Sequence, residues 1–250
     1  MNRFFIDPKD INKEDITAVI RGESVKHISR VLRMMVKDRL IISDGLGNSF
    51  MGEISEISRE EVRVLLLERL DKKSEPELQV NLGQALVKGE KMDYIVQKCT
   101  ELGVKKILPF TAERSVVKVS EKKARDKTTR WQKIARGAAE QSHRDRIPEV
   151  RAVTVLESIL VEETDLLLFL WEQESNRGLK EVLREHVNIN KITLLVGPEG
   201  GFTEEEVELA VSRGAVSVSL GPRILRTETA AAAAVTMIIY ELGDLGEINV

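Results

Sequence analysis

The chain has 250 residues, of which 42% are hydrophobic and 32% charged, enough for one large globular domain or two modest ones. No apolar run is long enough to span a bilayer, residues 1–10 lack a signal-peptide core, and a single Cys99 excludes an internal disulfide or a cysteine-cluster zinc site. The three histidines (His27, His143, His186) are far apart, so neither a metal nor a membrane partner is expected, and the reduced cysteine suits a cytoplasmic location.

Residues 1–70 read as a small β-rich unit. Arg3–Ile6 forms a short strand, and Ser24 is placed to cap a helix that turns Val25, Ile28, Val31 and Leu32 inward. Lys26, Arg30 and Arg33 then share the opposite face at i, i+4, i+7. Asp44-Gly-Leu-Gly-Asn is a hairpin turn between Arg39–Ser43 and Ser49–Ile57, and Val62–Leu67 is a further strand. The polar, proline-containing stretch Asp71–Glu77 is the expected linker, so the domains are expected at 1–70 and 78–250.

Strands and helices alternate beyond it: Leu78–Leu82, helix Met92–Leu102 stopped by Gly103, strand Lys106–Phe110, helix Glu121–Gln141, strand Leu166–Trp171 and helix Leu179–His186. This order predicts a parallel α/β sheet. The net charge of −3 is unevenly spread: Arg114–Arg146 holds eleven Lys or Arg against four Asp or Glu, the footprint of a polyanion-binding face or of a solvated helix.

Two strand–loop–helix units close the chain. The first is Ile192–Val196, Gly197-Pro-Glu-Gly-Gly, and a helix from Thr203. The second is Val216–Leu220, Gly221–Arg226, and a helix through Ala230–Ala234 to Leu242. Ligands in open α/β sheets collect at the carboxyl ends of strands, so these loops are expected to wall one site. Thr203 and Glu206 have the spacing of a capping box, with Phe202 and Val207 as its hydrophobic staple. The first loop has neither Walker A nor G-x-G-x-x-G spacing, and Glu199 would repel phosphate, so a neutral or cationic ligand fits better. Arg223, Arg226 and Glu228 crowd ahead of a helix apolar all round, which is expected to be buried or to form an interface.

Gly197-Pro-Glu-Gly-Gly-Phe-Thr followed by Leu220-Gly-Pro-Arg-Ile-Leu-Arg-Thr-Glu-Thr-Ala resembles the RsmE family, the 16S ribosomal RNA uridine N3-methyltransferases of the SPOUT superfamily. Three upstream pieces extend the resemblance over essentially the whole chain: Lys88-Gly-Glu-Lys-Met-Asp with Lys98-Cys-Thr-Glu-Leu-Gly-Val, Thr111-Ala-Glu-Arg-Ser, and Ala138-Ala-Glu-Gln-Ser-His-Arg-Asp-Arg-Ile-Pro. In the last, His143 stands where the family usually has Gly, and Asp145 where it has Asn.

The resemblance implies a C-terminal SPOUT-type α/β domain with a deep trefoil knot, a small PUA-like β-barrel domain before it, a homodimer, and 16S rRNA in the small ribosomal subunit as substrate. It implies S-adenosylmethionine bound by Leu170, Gly197, Glu199, Gly200, Gly201, Leu220, Gly221, Ile224, Leu225, Arg226, Thr229 and Ala230. RNA contact is implied for Arg3, His27, Arg30 and Arg33, and for Arg114, Arg144 and Arg146. Methylating uridine N3 requires removal of its imide proton. Arg226 is the expected stabiliser of the resulting charge, and Glu228 or Glu199 the expected base, the two unranked by sequence. Two rival readings stand beside this one: transfer to a ribose 2′-hydroxyl, and a non-catalytic RNA-binding protein.

Overall fold

Period-two alternation builds the first part of the chain. In β6 (Glu61–Leu70), Val62, Val64 and Leu66 are buried while Arg63, Leu65 and Leu67 face outward. The computed structural model describes residues 1–70, 75–115 and 120–247. It divides the chain into two units, Met1–Glu75 with Ala139–Ile147, and Pro76–Ala138 with Pro148–Val250. Residues 71–74 of the expected linker, and Lys118 within the basic stretch, lie outside the described residues.

The first unit is a six-stranded sheet. Its strands are β1 (Arg3–Phe5), β2 (Ile11–Asn12), β3 (Thr17–Arg21), β4 (Arg39–Ser43), β5 (Ser49–Ile57) and β6, in the order β1-β4-β5-β6-β3-β2. Pairing is antiparallel except for β1 against β4. The edge strands β1 and β2 do not pair with each other, so the expected barrel is a half-barrel. Phe4, Ile20, Ile28, Leu40, Ile42, Ile54, Val62 and Val64 fill its core. Gly52 is required in β5, because a Cβ there would lie 2.3 Å from Val64 Cγ1.

The basic helix departs from expectation. Helix α1 (Glu23–Lys26) is capped by Gly22 rather than Ser24, and it runs into a π turn over His27–Val31. The wider turn rotates Val31 outward, leaving it 66% exposed, and Arg33 takes a left-handed φ of 52° that ends the helix. Lys26, Arg30 and Arg33 are all exposed, but no regular i, i+4, i+7 stripe connects them.

The second unit is a wholly parallel sheet. It comprises β7 (Gln79–Ala85), β8 (Lys106–Thr111), β9 (Glu149–Val150), β10 (Thr154–Val155), β11 (Leu166–Leu170), β12 (Lys191–Val196) and β13 (Val216–Val218). The order is β10-β8-β7-β12-β11-β13, with β9 also paired to β8. Helices α2 (Lys91–Glu101), α3 (Glu121–Gln141), α4 (Leu156–Ile159), α5 (Leu179–Glu185), α6 (Glu204–Ser212) and α7 (Thr227–Leu242) connect and cover the strands. The strands are apolar on both faces, as a doubly covered sheet demands; every residue of β11 is buried.

Phe110, Phe169 and Phe202 form the centre of one layer, the rings of Phe169 and Phe202 being 4.1 Å apart. Helix α7 packs on β7 and β12 beside α2 and α5. Its Ala231 and Ala234 are fully buried, small enough to let the helix approach the sheet. The helix is nevertheless one-sided: Met237 is 43% and Tyr240 67% exposed, so its apolar sequence marks one buried face and one open face.

Candidate functional site

The loop after β12 is fixed by local chemistry. The capping box is present: Glu206 N donates to Thr203 Oγ1 across 3.2 Å, and Thr203 N donates to Glu206 Oε2 across 3.0 Å. Phe202 and Val207 are both buried in the same cluster. Gly201 has φ +69°, and a Cβ on it would lie 2.1 Å from Glu172 Oε1, so only glycine suits this turn. The Thr111–Ser115 motif braces the loop. Arg114 Nη1 donates to the carbonyls of Gly200 and Phe202, each at 3.3 Å, and Glu113 N donates to Glu206 Oε1 at 2.8 Å.

The loop after β13 is tied to the one after β11. Ser219 N donates to Arg177 O, and Leu179 N to Ser219 O. Glu174 accepts from the Ser217 hydroxyl and from the amides of Asn176 and Arg177. The Ser217 hydroxyl and then the Asn176 amide hold its carboxyl below the ordinary value, against the opposing effect of burial.

One side chain joins the two walls. The Thr227 hydroxyl, in the first turn of α7, donates to Gly197 O across 2.7 Å and accepts from Gln84 Nε2 across 3.1 Å. Gln84 is fully buried at the end of β7.

The result is a cleft of about 920 Å³ at the carboxyl ends of β11, β12 and β13, the position expected for a ligand in such a sheet. Its rim carries acidic groups. Lys91 Nζ lies 3.1 Å from Glu199 Oε1 and 3.5 Å from Glu228 Oε2. Burial pushes the Glu199 carboxyl up, but its own backbone amide, Lys91 and the Lys88 amide outweigh this and hold it below the ordinary value. The Glu199 hydrogen bond chiefly raises the Lys91 ammonium above its ordinary value, with a smaller contribution from Glu228.

Of the residues expected to bind a cofactor, Leu170, Gly197, Glu199, Gly200, Gly201, Leu220, Gly221, Ile224, Leu225, Arg226 and Ala230 line this cleft. Thr229 does not: it is exposed and lies outside the lining, because the first turn of α7 points Thr227 inward instead. Arg226 lines the cleft with an exposed side chain that has no partner among the described residues. Glu228 faces Lys91 rather than Arg226. Lys91, Thr227, Gln84, Glu172 and Glu174 are further residues of the site. Lys91 carried one signal, its place in the Lys88–Asp93 motif; Thr227 differed from Thr229 in nothing that sequence records.

The residues expected to touch RNA separate into groups. Arg3 and Arg144 are internal to the first unit. Arg3 Nη1 bonds Ser43, Ser49, Arg144 O and the Asp145 carboxylate, and Arg144 pairs with Glu75 Oε2 at 2.6 Å with 4% of its side chain exposed. Their guanidinium groups are spent on holding residues 139–147 to the half-barrel. His27, Arg30 and Arg33 are exposed, His27 lying edge-on to Phe4. Arg146 is half-buried against Gly47, and Arg114 belongs to the loop bracing described above. Along α3, Lys122, Lys123, Arg125, Arg130, Lys133 and Arg136 are exposed. Among the described residues no group of three or more His, Cys, Asp or Glu side chains is arranged to hold a metal ion, and no helix is long and apolar enough to cross a membrane.

Comparison with known proteins agrees with this geometry. The family model of an RNA methyltransferase domain matches residues 74–239, and that of an RNA methyltransferase PUA domain matches residues 20–67. The chain is 38% identical to the ribosomal RNA small subunit methyltransferase E of Bacillus subtilis (strain 168), over 96% of this chain and 97% of that protein. It is 33% identical to the Synechocystis sp. (strain ATCC 27184 / PCC 6803 / Kazusa) protein of the same name, over 94% and 76%. Among solved structures, ribosomal RNA small subunit methyltransferase E from Neisseria gonorrhoeae bound to S-adenosylmethionine superposes with a TM-score of 0.86 at 29% identity, over 98% of this chain and 99% of that one. A methyltransferase from Legionella pneumophila in complex with the same cofactor superposes at 0.85 and 33% identity, over 97% and 98%. With two matching domains, a parallel sheet whose loops build one cleft, and this identity over nearly its full length, the chain belongs to the ribosomal RNA small subunit methyltransferase E family of RNA methyltransferases.

Proposed function

We propose that the protein methylates N3 of a specific uridine in the 16S rRNA of the small ribosomal subunit, with S-adenosylmethionine as methyl donor. The observation that carries this reading is the Thr227–Gly197 bond, which joins the two glycine-containing loops into one cleft with Lys91, Glu199 and Glu228 at its edge. The residues present fit the donor. A Cβ-free surface at Gly201, apolar walls at Leu170 and Val196, and carboxylates at Glu172, Glu174 and Glu199 suit an adenosyl group carrying a cation. When bound, that group supplies a methyl on a positively charged sulfur.

The chain's own residues do the rest. The loops orient the two reactants, a positioning gain. Arg226, exposed at the rim, stabilises the negative charge that develops on the uracil carbonyl oxygens. Glu228 or Glu199 takes the imide proton, a contribution of about 10²–10⁴-fold for a well-placed base. His27, Arg30 and Arg33 of the first unit and the exposed basic face of α3 contact phosphates, so RNA affinity falls steeply as salt rises. In the same reading the second unit carries a deep trefoil knot, the exposed Met237 and Tyr240 face of α7 supports a homodimer, and the enzyme works in the cytoplasm.

The test is to incubate the protein with the donor and small subunits from cells lacking the activity, digest the RNA to nucleosides and identify the product by mass spectrometry. N3-methyluridine is expected; a ribose 2′-O-methyl product, or none with donor binding absent, overturns the proposal.

A further inference from the structure

Resting on the methyl-transfer reading above, we infer that Glu228 accepts the imide proton, and that Lys91 is the positioning residue that ties Glu199 into the cleft wall and leaves Glu228 free. The two carboxylates come from opposite walls, Glu199 from the loop after β12 and Glu228 from the first turn of α7, and one ammonium from the start of α2 faces both. They are not held alike. Glu199 Oε1 accepts from Lys91 Nζ at 3.1 Å and from the Lys88 amide at 3.3 Å. Glu228 Oε2 has no hydrogen-bond partner of good geometry among the described residues. This buried oxygen stands 3.5 Å from Lys91 Nζ, within ion-pair range only.

A base must keep an oxygen available for the incoming proton, and an oxygen already taken by two donors is stabilised as an anion and a poor acceptor. The lowered position of the Glu199 carboxyl points the same way. Glu228 also lies in the first turn of α7, at the positive end of the helix dipole. One ammonium against two carboxylates leaves the cluster with one surplus negative charge, which neutralising either acid removes.

The step balances. Glu228 takes the N3–H proton as the N3 electron pair forms the bond to the methyl carbon; the carbon–sulfur pair stays on sulfur, which becomes a neutral thioether. Glu228 then returns the proton to water.

The experiment compares Glu228→Gln, Glu199→Gln, Lys91→Met and Lys91→Arg with the unaltered chain, by single-turnover methylation of small subunits and by calorimetry with S-adenosylmethionine. Glu228→Gln is expected to slow methyl transfer by about 10²–10⁴-fold while donor affinity stays within about threefold. Glu199→Gln is expected to weaken donor binding and slow transfer by less than about tenfold. Lys91→Met should slow transfer, and Lys91→Arg, which keeps the cation, should recover at least about tenfold of that loss. Slower transfer in Glu199→Gln than in Glu228→Gln, or equal rates in Lys91→Met and Lys91→Arg, overturns the inference. The unaltered chain keeps the two questions separate: if it makes no N3-methyluridine, the functional reading fails; if it does and the ranking of the variants is reversed, only this assignment fails.

Discussion

Thr227 donates its hydroxyl proton to the carbonyl oxygen of Gly197 across 2.7 Å, and that bond ties the start of α7 to the loop after β12. Because Gln84 Nε2 donates to the Thr227 hydroxyl oxygen, the hydroxyl proton has a single orientation open to it. Thr227→Val keeps the shape but leaves Gly197 O and a buried Gln84 N–H unpaired. Each orphaned group costs about 1–3 kcal/mol. The thermal midpoint should fall by roughly 2–4 °C per kcal/mol for a chain of this size. Affinity for S-adenosylmethionine should fall about tenfold for each 1.4 kcal/mol lost from the bound state. Thr227→Ser should retain most of both. A valine variant that binds the donor as the parent does would show that the loops are held by something else.

Gly201 offers a test in which strain and clash can be separated. Its φ of +69° disfavours any residue with a Cβ, at a cost of about 1–2 kcal/mol. That Cβ would also lie 2.1 Å from Glu172 Oε1, so the flexible Glu172 side chain must move. Gly201→Ala is therefore expected to destabilise the protein and to weaken donor binding. Adding Glu172→Ala relieves the clash but leaves the backbone cost, so the double variant should recover part of the loss. Urea unfolding of the four chains measures the coupling, and strict additivity would refute the proposed clash.

What could be read from sequence was what depends on near neighbours. The Thr203–Glu206 capping box needs four consecutive residues, and the Asp44–Asn48 hairpin five, so both are encoded locally and both are present. Helix Glu121–Gln141 is long enough for its periodicity to fix both ends. Strands of two residues, such as Ile11–Asn12 and Glu149–Val150, are too short for alternation to register. The π turn at His27–Val31 defeats a 3.6-residue count, which is why Val31 was expected inside and lies outside. Within the site the limit is separation along the chain. Lys91 and Glu199 meet across 108 positions and Gln84 and Thr227 across 143, and no local pattern announces either contact. The same holds for Arg3 and Arg144, implied as RNA contacts by the family resemblance, whose carboxylate partners Asp145 and Glu75 lie 142 and 69 positions away.

His143 stands at the end of α3 in a left-handed conformation, φ 59°. Arg144 N donates to Ala139 O and His143 N to Glu140 O, the paired bonds of a Schellman motif with His at the position glycine favours. His143→Gly should stabilise the protein by up to about 1 kcal/mol: the left-handed strain of about 1–2 kcal/mol is removed, and the added freedom of the unfolded chain offsets part of it. A higher urea midpoint with an unchanged slope is the expected result. A lower midpoint would mean that the imidazole makes a contact worth more than the strain.

Asp145 is the buried anion that balances Arg3, with 6% and 7% of the two side chains exposed. It also accepts from Ser49 Oγ. Asp145→Ala should cost about 3–5 kcal/mol, because the Arg3 charge stays buried without a counterion. Asp145→Asn should cost less, since an amide oxygen can still accept from Arg3 and Ser49. Equal losses in the two variants would mean that the negative charge, which both remove, carries the stabilisation and that the acceptor oxygen alone adds nothing.

Acid should open the cleft before it unfolds the rest. Both Glu199 and Glu174 have carboxyls held below the ordinary value of 4.5 in the folded chain. A group whose folded value is lowered stabilises the fold fully above its unfolded value, and that contribution is lost as pH falls through the folded value. Lys91 has the opposite sign: raised above 10.5, it contributes below that value and fails only as pH rises through its folded value. The Lys91–Glu199 contact is therefore intact across the neutral range and vulnerable on the acid side alone. With 30% of the Glu199 side chain exposed, solvent screens the pair, so the effect should be a shallow decline and not a sharp transition. Thermal midpoints measured from pH 7 downward should begin to fall below about pH 4.5. In Glu199→Gln and in Glu174→Gln, each lacking one titrating group, the acid slope should be flatter than in the parent. Identical slopes in all three chains would mean that other carboxylates govern the acid response and that these two add nothing to it.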